Sequence, residues 1–260
     1  MSKDKTSEKD ITEKSLFAYN DVFCDIINGC LFDGNQVIKP DELADIMPDT
    51  VFRNDSGELH EQERDILKRW SKHNVDFALI GIENQTVPDR LMPARVISYD
   101  GASYKSQLLN DVYPLAPVVT IVLNLGENKW PYPSNLKSIL SICPEIEKYV
   151  NDYNIHIVNV TDLTGDELEK FTSDFKIVAG YLHDAKRHEK NIRLNGQFIK
   201  HVDGVLKVLS AISDYDTIAC LAENSKNMGE CNMFDLFKDA KEEGFHEGEL
   251  SVLQMEGLPE

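Results

Sequence analysis

The sequence has no long apolar run, no paired cysteine motif and no surplus of positive charge, and each absence removes a class of function. None of its apolar stretches approaches the roughly 20 residues of a membrane span, so no membrane association is expected. The first fifteen residues, MSKDKTSEKDITEKS, lack the apolar core of a secretory signal. Cysteine occurs at 24, 30, 143, 220 and 231, scattered and without a CxxC pair. Neither a disulfide framework nor a zinc site follows from that spacing, and cytoplasm is the expected compartment. With 27 Lys and Arg against 45 Asp and Glu, the chain is not the basic protein that a general nucleic-acid binder usually is. No internal repeat is present.

What is there suits a globular protein. At 260 residues with 42% apolar content, the chain can bury a full core in one large domain or slightly more. The negative charge is uneven. Residues 223–260 carry ten acids against three lysines, whereas residues 59–109 carry seven acids and seven Lys or Arg. The polar residues 1–14 read as a disordered lead-in. Residues 15–32 read as a helix with Leu16, Tyr19, Phe23, Ile26, Ile27 and Cys30 on one stripe, and Asp21, Asp25 and Asn28 on the opposite, solvated face. A short helix is expected at Pro40–Ile46, and a turn at 54–57.

Residues 64–85, RDILKRWSKHNVDFALIGIENQ, read as a hairpin turning about Asn74. In that register Asp65 faces Glu83, and residue 72 faces residue 76. Glu83 and Gln85 share one face of the second strand and Asn84 takes the other. Directly opposed Cβ atoms lie roughly 4.5–5.5 Å apart, and two carboxylates that close repel unless a cation intervenes. Hard oxygen ligands of this kind suit Mg²⁺. One reading is thus a metal site for phosphodiester chemistry; the other is a hairpin with solvated charges at its ends. Residues 89–109 read as a helix kinked near Pro93 and Gly101, with Arg95, Tyr104 and Gln107 polar-tipped toward the hairpin. Tyr113–Leu125 reads as a strand buried on both faces. Residues 136–149 are helical or irregular, and 155–160 form another strand. Beyond it, Thr164-Gly165-Asp166-Glu167 has capping-box spacing before a helix running to about Leu182. Further helices are expected at 196–213 and from Asp216 to about Lys226, before an acidic end. The sum is an α/β protein with a mixed sheet of four or so strands, flanked by helices, and a helical C-terminal extension.

Five segments stand in one order: FCDIINGCLFDG (23–34), KPDEL (39–43), RDILKRW (64–70), IENQ (82–85) and ARVISYDGASYKSQL (94–108). Together they resemble the recombination-promoting nuclease / putative transposase family of the PD-(D/E)XK nuclease superfamily, over roughly residues 15–165. The resemblance implies an αβββαβ core over 15–165, with 166–260 as the extension, and DNA cleavage dependent on Mg²⁺ or Mn²⁺. It makes Asp65 and Glu83 the catalytic acids and metal ligands. Gln85 stands where the superfamily's name has Lys, as this branch is similar in having. Asp25 matches an acid of the first helix, and Tyr104 and Gln107 match a polar pair on the helix after the third strand. Arg64, Lys68, Arg69 and Lys72 are candidates for contacts to DNA phosphates, or equally for guarding an edge strand from pairing. A self-associated dimer is expected if both strands of a duplex are cut. The competing hypothesis keeps the nuclease fold without catalysis, as an interaction module that docks a protein partner through its acidic helical C-terminus.

Overall fold

The computed structural model describes residues 15–46, 51–53, 59–61, 65–73, 75–187, 198–212 and 229–232. In chain order its first elements are α1 (Asn20–Leu31), β1 (Leu43–Asp45), β2 (Val51–Arg53), β3 (Leu59–Glu61), β4 (Ile66–Lys72), β5 (Val75–Gln85) and α2 (Met92–Leu109). They are followed by β6 (Val118–Asn124), β7 (His156–Asn159), α3 (Gly165–Leu168), α4 (Phe175–Lys186), β8 (Phe198–Ile199), α5 (Val202–Ile212) and β9 (Cys231–Asn232). By contacts the chain divides into two units, Ile38–Asn159 and the segments on either side of it. The expected lead-in at 1–14, the turn at 54–57, the helix from Asp216 and the acidic end lie outside the described residues.

The central unit is an α/β layer built on a five-stranded mixed sheet in the order β1-β4-β5-β6-β7. β1 and β4, and β4 and β5, pair antiparallel; β5, β6 and β7 run parallel. The α2 crossover makes the β5–β6 pairing parallel, as such a connection must. β2 and β3 form a separate antiparallel ribbon. β6 is buried nearly throughout, which is why its sequence is a β-branched run rather than an alternating one. That strand starts at Val118, not at Tyr113, which lies exposed before it.

Two further expectations in this unit are corrected. α2 is continuous: Pro93 sits in its first turn, where a missing N–H costs nothing, and Gly101 stands in open space. The candidate helix at 40–46 is a single 3₁₀ turn, Pro40–Glu42, that runs into β1. Residues 136–149 take the irregular form of the two expected, with two short 3₁₀ turns, Lys137–Ile139 and Glu147–Tyr149.

The other unit packs α1 against α4 and α4 against α5, so the first helix groups with the segments after residue 160. Phe17, Phe171 and Phe175 meet edge to face, with centroids 5.5 Å and 4.9 Å apart. The ring of Phe171 fills the space over Gly29, where an added Cβ would come within 2.2 Å of it. The capping box forms as its spacing predicts: Thr164 Oγ1 accepts from the Glu167 N–H, and the Glu167 carboxylate accepts from the Thr164 N–H. It caps only the one-turn α3, however, and the chain breaks at 169–174 before α4. The helix expected from 196 begins instead at Val202, because Phe198–Ile199 pairs with Cys231–Asn232. Burial and the neighbouring Asp25 charge push the Cys30 thiol up to about 12, so it stays protonated and unreactive.

Asp21 gives this unit a pH dependence. Burial pushes its pKa up, but hydrogen bonds from Lys200 and His201 outweigh that and hold the carboxyl below its ordinary value. A carboxyl depressed in the folded state contributes stability above the unfolded pKa and loses it as pH falls through the folded one. Urea unfolding between pH 5 and 2 should therefore show an acid-side loss that Asp21→Asn flattens.

Candidate active site

Asp65, Glu83 and Gln85 meet at the mouth of the β4–β5 hairpin. Ile66 pairs with Ile82, and the same register runs on to Trp70 opposite Ala78, which carries Asp65 opposite Glu83 as expected. The tip departs from expectation. A bulge between Trp70 and Ser71 leaves Lys72 opposite Val75 rather than residue 76. Phe77, the residue left over, stacks on Trp70 at 5.0 Å.

Alternation along β5 puts Glu83 and Gln85 on the face that α2 covers. Glu83 pairs in register with Val122 of β6, and Val122 packs with Met92 and Val96 of α2. The backbone N–H of Asp65 donates to Glu83 Oε2 at 3.4 Å, and the N–H of Asn84 donates to Asp65 Oδ2 at 2.7 Å. Gln85 Nε2 donates to the Asn84 carbonyl at 2.7 Å and to Glu83 Oε1 at 3.3 Å. The Asn84 carboxamide faces the other way and is buried without a hydrogen-bond partner among the described residues. The Asn84 backbone carbonyl, by contrast, is the acceptor for Gln85.

Glu83 is 1% exposed. A carboxylate buried that deeply needs a partner, and Arg95 of α2 supplies one, its Nη2 lying 2.6 Å from Glu83 Oε1. The same guanidinium donates to the Tyr99 hydroxyl from Nε at 3.2 Å and Nη2 at 3.0 Å, and to Asp89 Oδ2 from Nη1 at 3.3 Å. Burial works against the Arg95 charge, but the Tyr99 hydroxyl and Glu83 outweigh it and raise its pKa. Burial, and then the Glu83 and Asp65 charges, push the Tyr99 phenol up. Asp89 in turn accepts from the Leu91 N–H at 2.8 Å, so the start of α2 fixes the whole cluster.

Sequence reading brought Arg95 to the hairpin without assigning it a role, and missed Tyr99 and Asp89. The available signal was the i, i+4 spacing of Arg95 and Tyr99, which places them on one helix face.

The other candidates are placed elsewhere. Tyr104 Oη accepts from the Val118 N–H at 3.0 Å, and Gln107 clamps both backbone groups of Ala116 at 2.7 Å and 3.0 Å. Both hold the entry to β6. Val118 pairs with Leu79, four residues before Glu83, or about 13 Å along the strand. Asp25 belongs to the other unit, where it accepts from the backbone and hydroxyl of Thr172 and from the Ser173 N–H. Lys68 is fully buried with its Nζ on Asp45, which leaves it nothing exposed to offer a phosphate. Arg69 pairs with Asp76 at 3.6 Å and Lys72 with Glu42 at 3.0 Å. Arg64 lies outside the described residues.

Asp65 and Glu83 suit a small divalent cation by donor chemistry, since Mg²⁺ takes one or two carboxylates and completes its shell with water. Among the described residues, no three or more His, Cys, Asp or Glu gather as a larger ligand set. The cluster stands where β5 and β6 end side by side, Gln85 beside Asn124, and the carboxyl ends of parallel strands are where α/β sheets bind ligands. Gly126, just beyond, permits that closeness: a Cβ there would lie 2.4 Å from the Thr86 carbonyl oxygen. Gly126→Ala should push the two strand ends apart and cost about 1–3 kcal/mol in urea unfolding.

Compared with known proteins, residues 56–214 match the family model described as "Putative transposase, YhgA-like". The match takes in more than half of the chain, begins after Asp25, and runs beyond residue 165, where the resemblance read from sequence stopped. No curated protein and no solved structure matches.

Proposed function

As the chain belongs to the YhgA-like putative transposase family, we propose that it is a metal-dependent DNA endonuclease with a PD-(D/E)XK-type site at the β4–β5 hairpin. The observation that carries this reading is the Asp65–Glu83 pair with the Gln85 amide between strand end and α2. The element order through β6, helix, three sheet strands, helix and strand, supports it, once the β2–β3 ribbon is set apart as an insertion.

Asp65 and Glu83 would hold Mg²⁺ or Mn²⁺ through their carboxylates. A cation so held supplies Lewis acidity to the phosphoryl oxygen and lowers the pKa of the attacking water. Gln85 cannot take a proton. Its amide can orient the water by hydrogen bonding, as amides do in other phosphoryl-transfer sites. The Asn84 N–H fixes Asp65, and the Gln85 amide donates to Glu83. A phosphodiester would meet these residues at the carboxyl ends of β5 and β6, where the cluster stands.

Cleavage of supercoiled plasmid tests the reading, with Mg²⁺, Mn²⁺, Ca²⁺ or EDTA, beside the Asp65→Ala protein. Nicking that needs Mg²⁺ or Mn²⁺ and vanishes in a variant with an unchanged circular dichroism spectrum supports it. Intact plasmid with folded wild-type protein, or nicking that survives Asp65→Ala, overturns it and favours the non-catalytic interaction module.

A further inference from the structure

Resting on that reading of the site, we propose that Arg95 is a built-in counter-cation that a divalent metal must displace from Glu83, and that Asp89 and Tyr99 catch it when it leaves. The strand register sets Asp65 opposite Glu83 at the hairpin mouth, with the Asp65 N–H on Glu83 Oε2, and Glu83 is almost wholly removed from water. A pair of that kind is stable only with positive charge beside it. The guanidinium of Arg95 provides it through a contact of 2.6 Å to Glu83. A metal that used the same carboxylate would compete for the same charge.

The geometry of Arg95 suits exchange. Of its partners, only Glu83 belongs to the proposed ligand pair. The Nε and Nη1 contacts, to the Tyr99 hydroxyl and Asp89, are made by nitrogens other than the Nη2 that meets Glu83 and need not break when Nη2 leaves that carboxylate, while Nη2 also reaches the Tyr99 hydroxyl at 3.0 Å. Its side chain is 37% exposed, against 1% for Glu83, so the arginine can turn outward while the carboxylate stays. Asp89 is itself held by the Leu91 N–H at the head of α2, which keeps the receiving acid in place. Buried Glu83 thereby has a cation beside it without metal, and the metal affinity of the site is set by an internal competitor. Metal entry would also turn a cation toward the rim of the site, on the side from which phosphates approach.

The test uses the full chain and reads binding and stability rather than cleavage. Mn²⁺ affinity is measured by titration calorimetry, and melting temperature in EDTA and in Mn²⁺, for wild type, Arg95→Gln, Arg95→Lys and Asp65→Asn. The expected result is Mn²⁺ binding about tenfold tighter in Arg95→Gln, the scale of losing one half-exposed opposing charge. That variant should also melt lower in EDTA and gain more from Mn²⁺ than wild type does. Arg95→Lys keeps the charge and should stay near wild type. Equal or weaker binding in Arg95→Gln, with wild-type binding lost in Asp65→Asn, overturns the displacement and leaves the metal site standing. No Mn²⁺ binding by wild type or Arg95→Gln overturns both.

Discussion

Glu83→Gln should fold normally and cut DNA about a thousandfold more slowly than wild type, a loss of roughly 4 kcal/mol in transition-state stabilisation. The substitution is close to isosteric. Its carbonyl oxygen still accepts from Arg95 Nη2 and Gln85 Nε2, the two donors that Glu83 Oε1 serves. What disappears is the long hydrogen bond from the Asp65 N–H to Oε2 and the charge, and with the charge half of the anionic pair that makes the hairpin mouth attractive to a divalent cation. The stability cost is small, roughly 1 kcal/mol, because Arg95 is more than a third exposed and keeps Asp89 and Tyr99. Single-turnover plasmid nicking beside urea unfolding separates the two effects. A variant that keeps a tenth or more of the wild-type rate would remove Glu83 from the chemistry.

The hairpin was readable because its information is local. Phe77–Ile82 is an unbroken apolar run, a polar turn precedes the strand, and the register that carries Asp65 to Glu83 is fixed by the side that must be buried. The bulge was not readable. It depends on Trp70 drawing Phe77 across the strand pair, and no alternation rule distinguishes that from regular pairing. Pro93 and Gly101 were misread for a related reason. Both are breakers in a helix interior, but Pro93 lies at the head of α2, and the element boundary decides its meaning.

The site itself divides in the same way. Two acids and an amide within one hairpin can be found by counting. Arg95 comes from the next helix, and its role depends on α2 lying over the Glu83 face, which follows from Met92 and Val96 packing on Val122. Tyr104 and Gln107 show the converse. Polar tips on a helix next to a site look functional, yet both are consumed in holding Ala116 and Val118. Lys68 sits among cations that looked like a phosphate-binding row, but the pleat turns it inward beside Ile66 while its neighbours Leu67 and Arg69 face the other way.

Asp25→Ala should cost about 3 kcal/mol of stability, whereas a loss of active-site chemistry would leave the fold intact. The carboxylate is buried, and it gathers the Thr172 N–H at 3.0 Å and 2.9 Å, the Thr172 hydroxyl at 3.0 Å and the Ser173 N–H at 2.9 Å. These donors lie in the break between α3 and α4, just before the Ser173 hydroxyl accepts from the Phe175 N–H at the head of α4. Removing the carboxylate leaves two backbone donors and a hydroxyl without their acceptor at a site only 3% exposed at Asp25. Sequence reading put Asp25 on a solvated face because Asp21 and Asn28 share it, and its partners stand 147 residues away. Asp25→Asn keeps one acceptor oxygen and should lose roughly half as much stability. Urea unfolding of both variants, with nicking measured at low temperature on folded protein, decides the matter. Unchanged stability with cleavage lost would return Asp25 to the chemistry, whereas lowered stability with cleavage retained per folded molecule makes it an anchor for the turn that leads into α4.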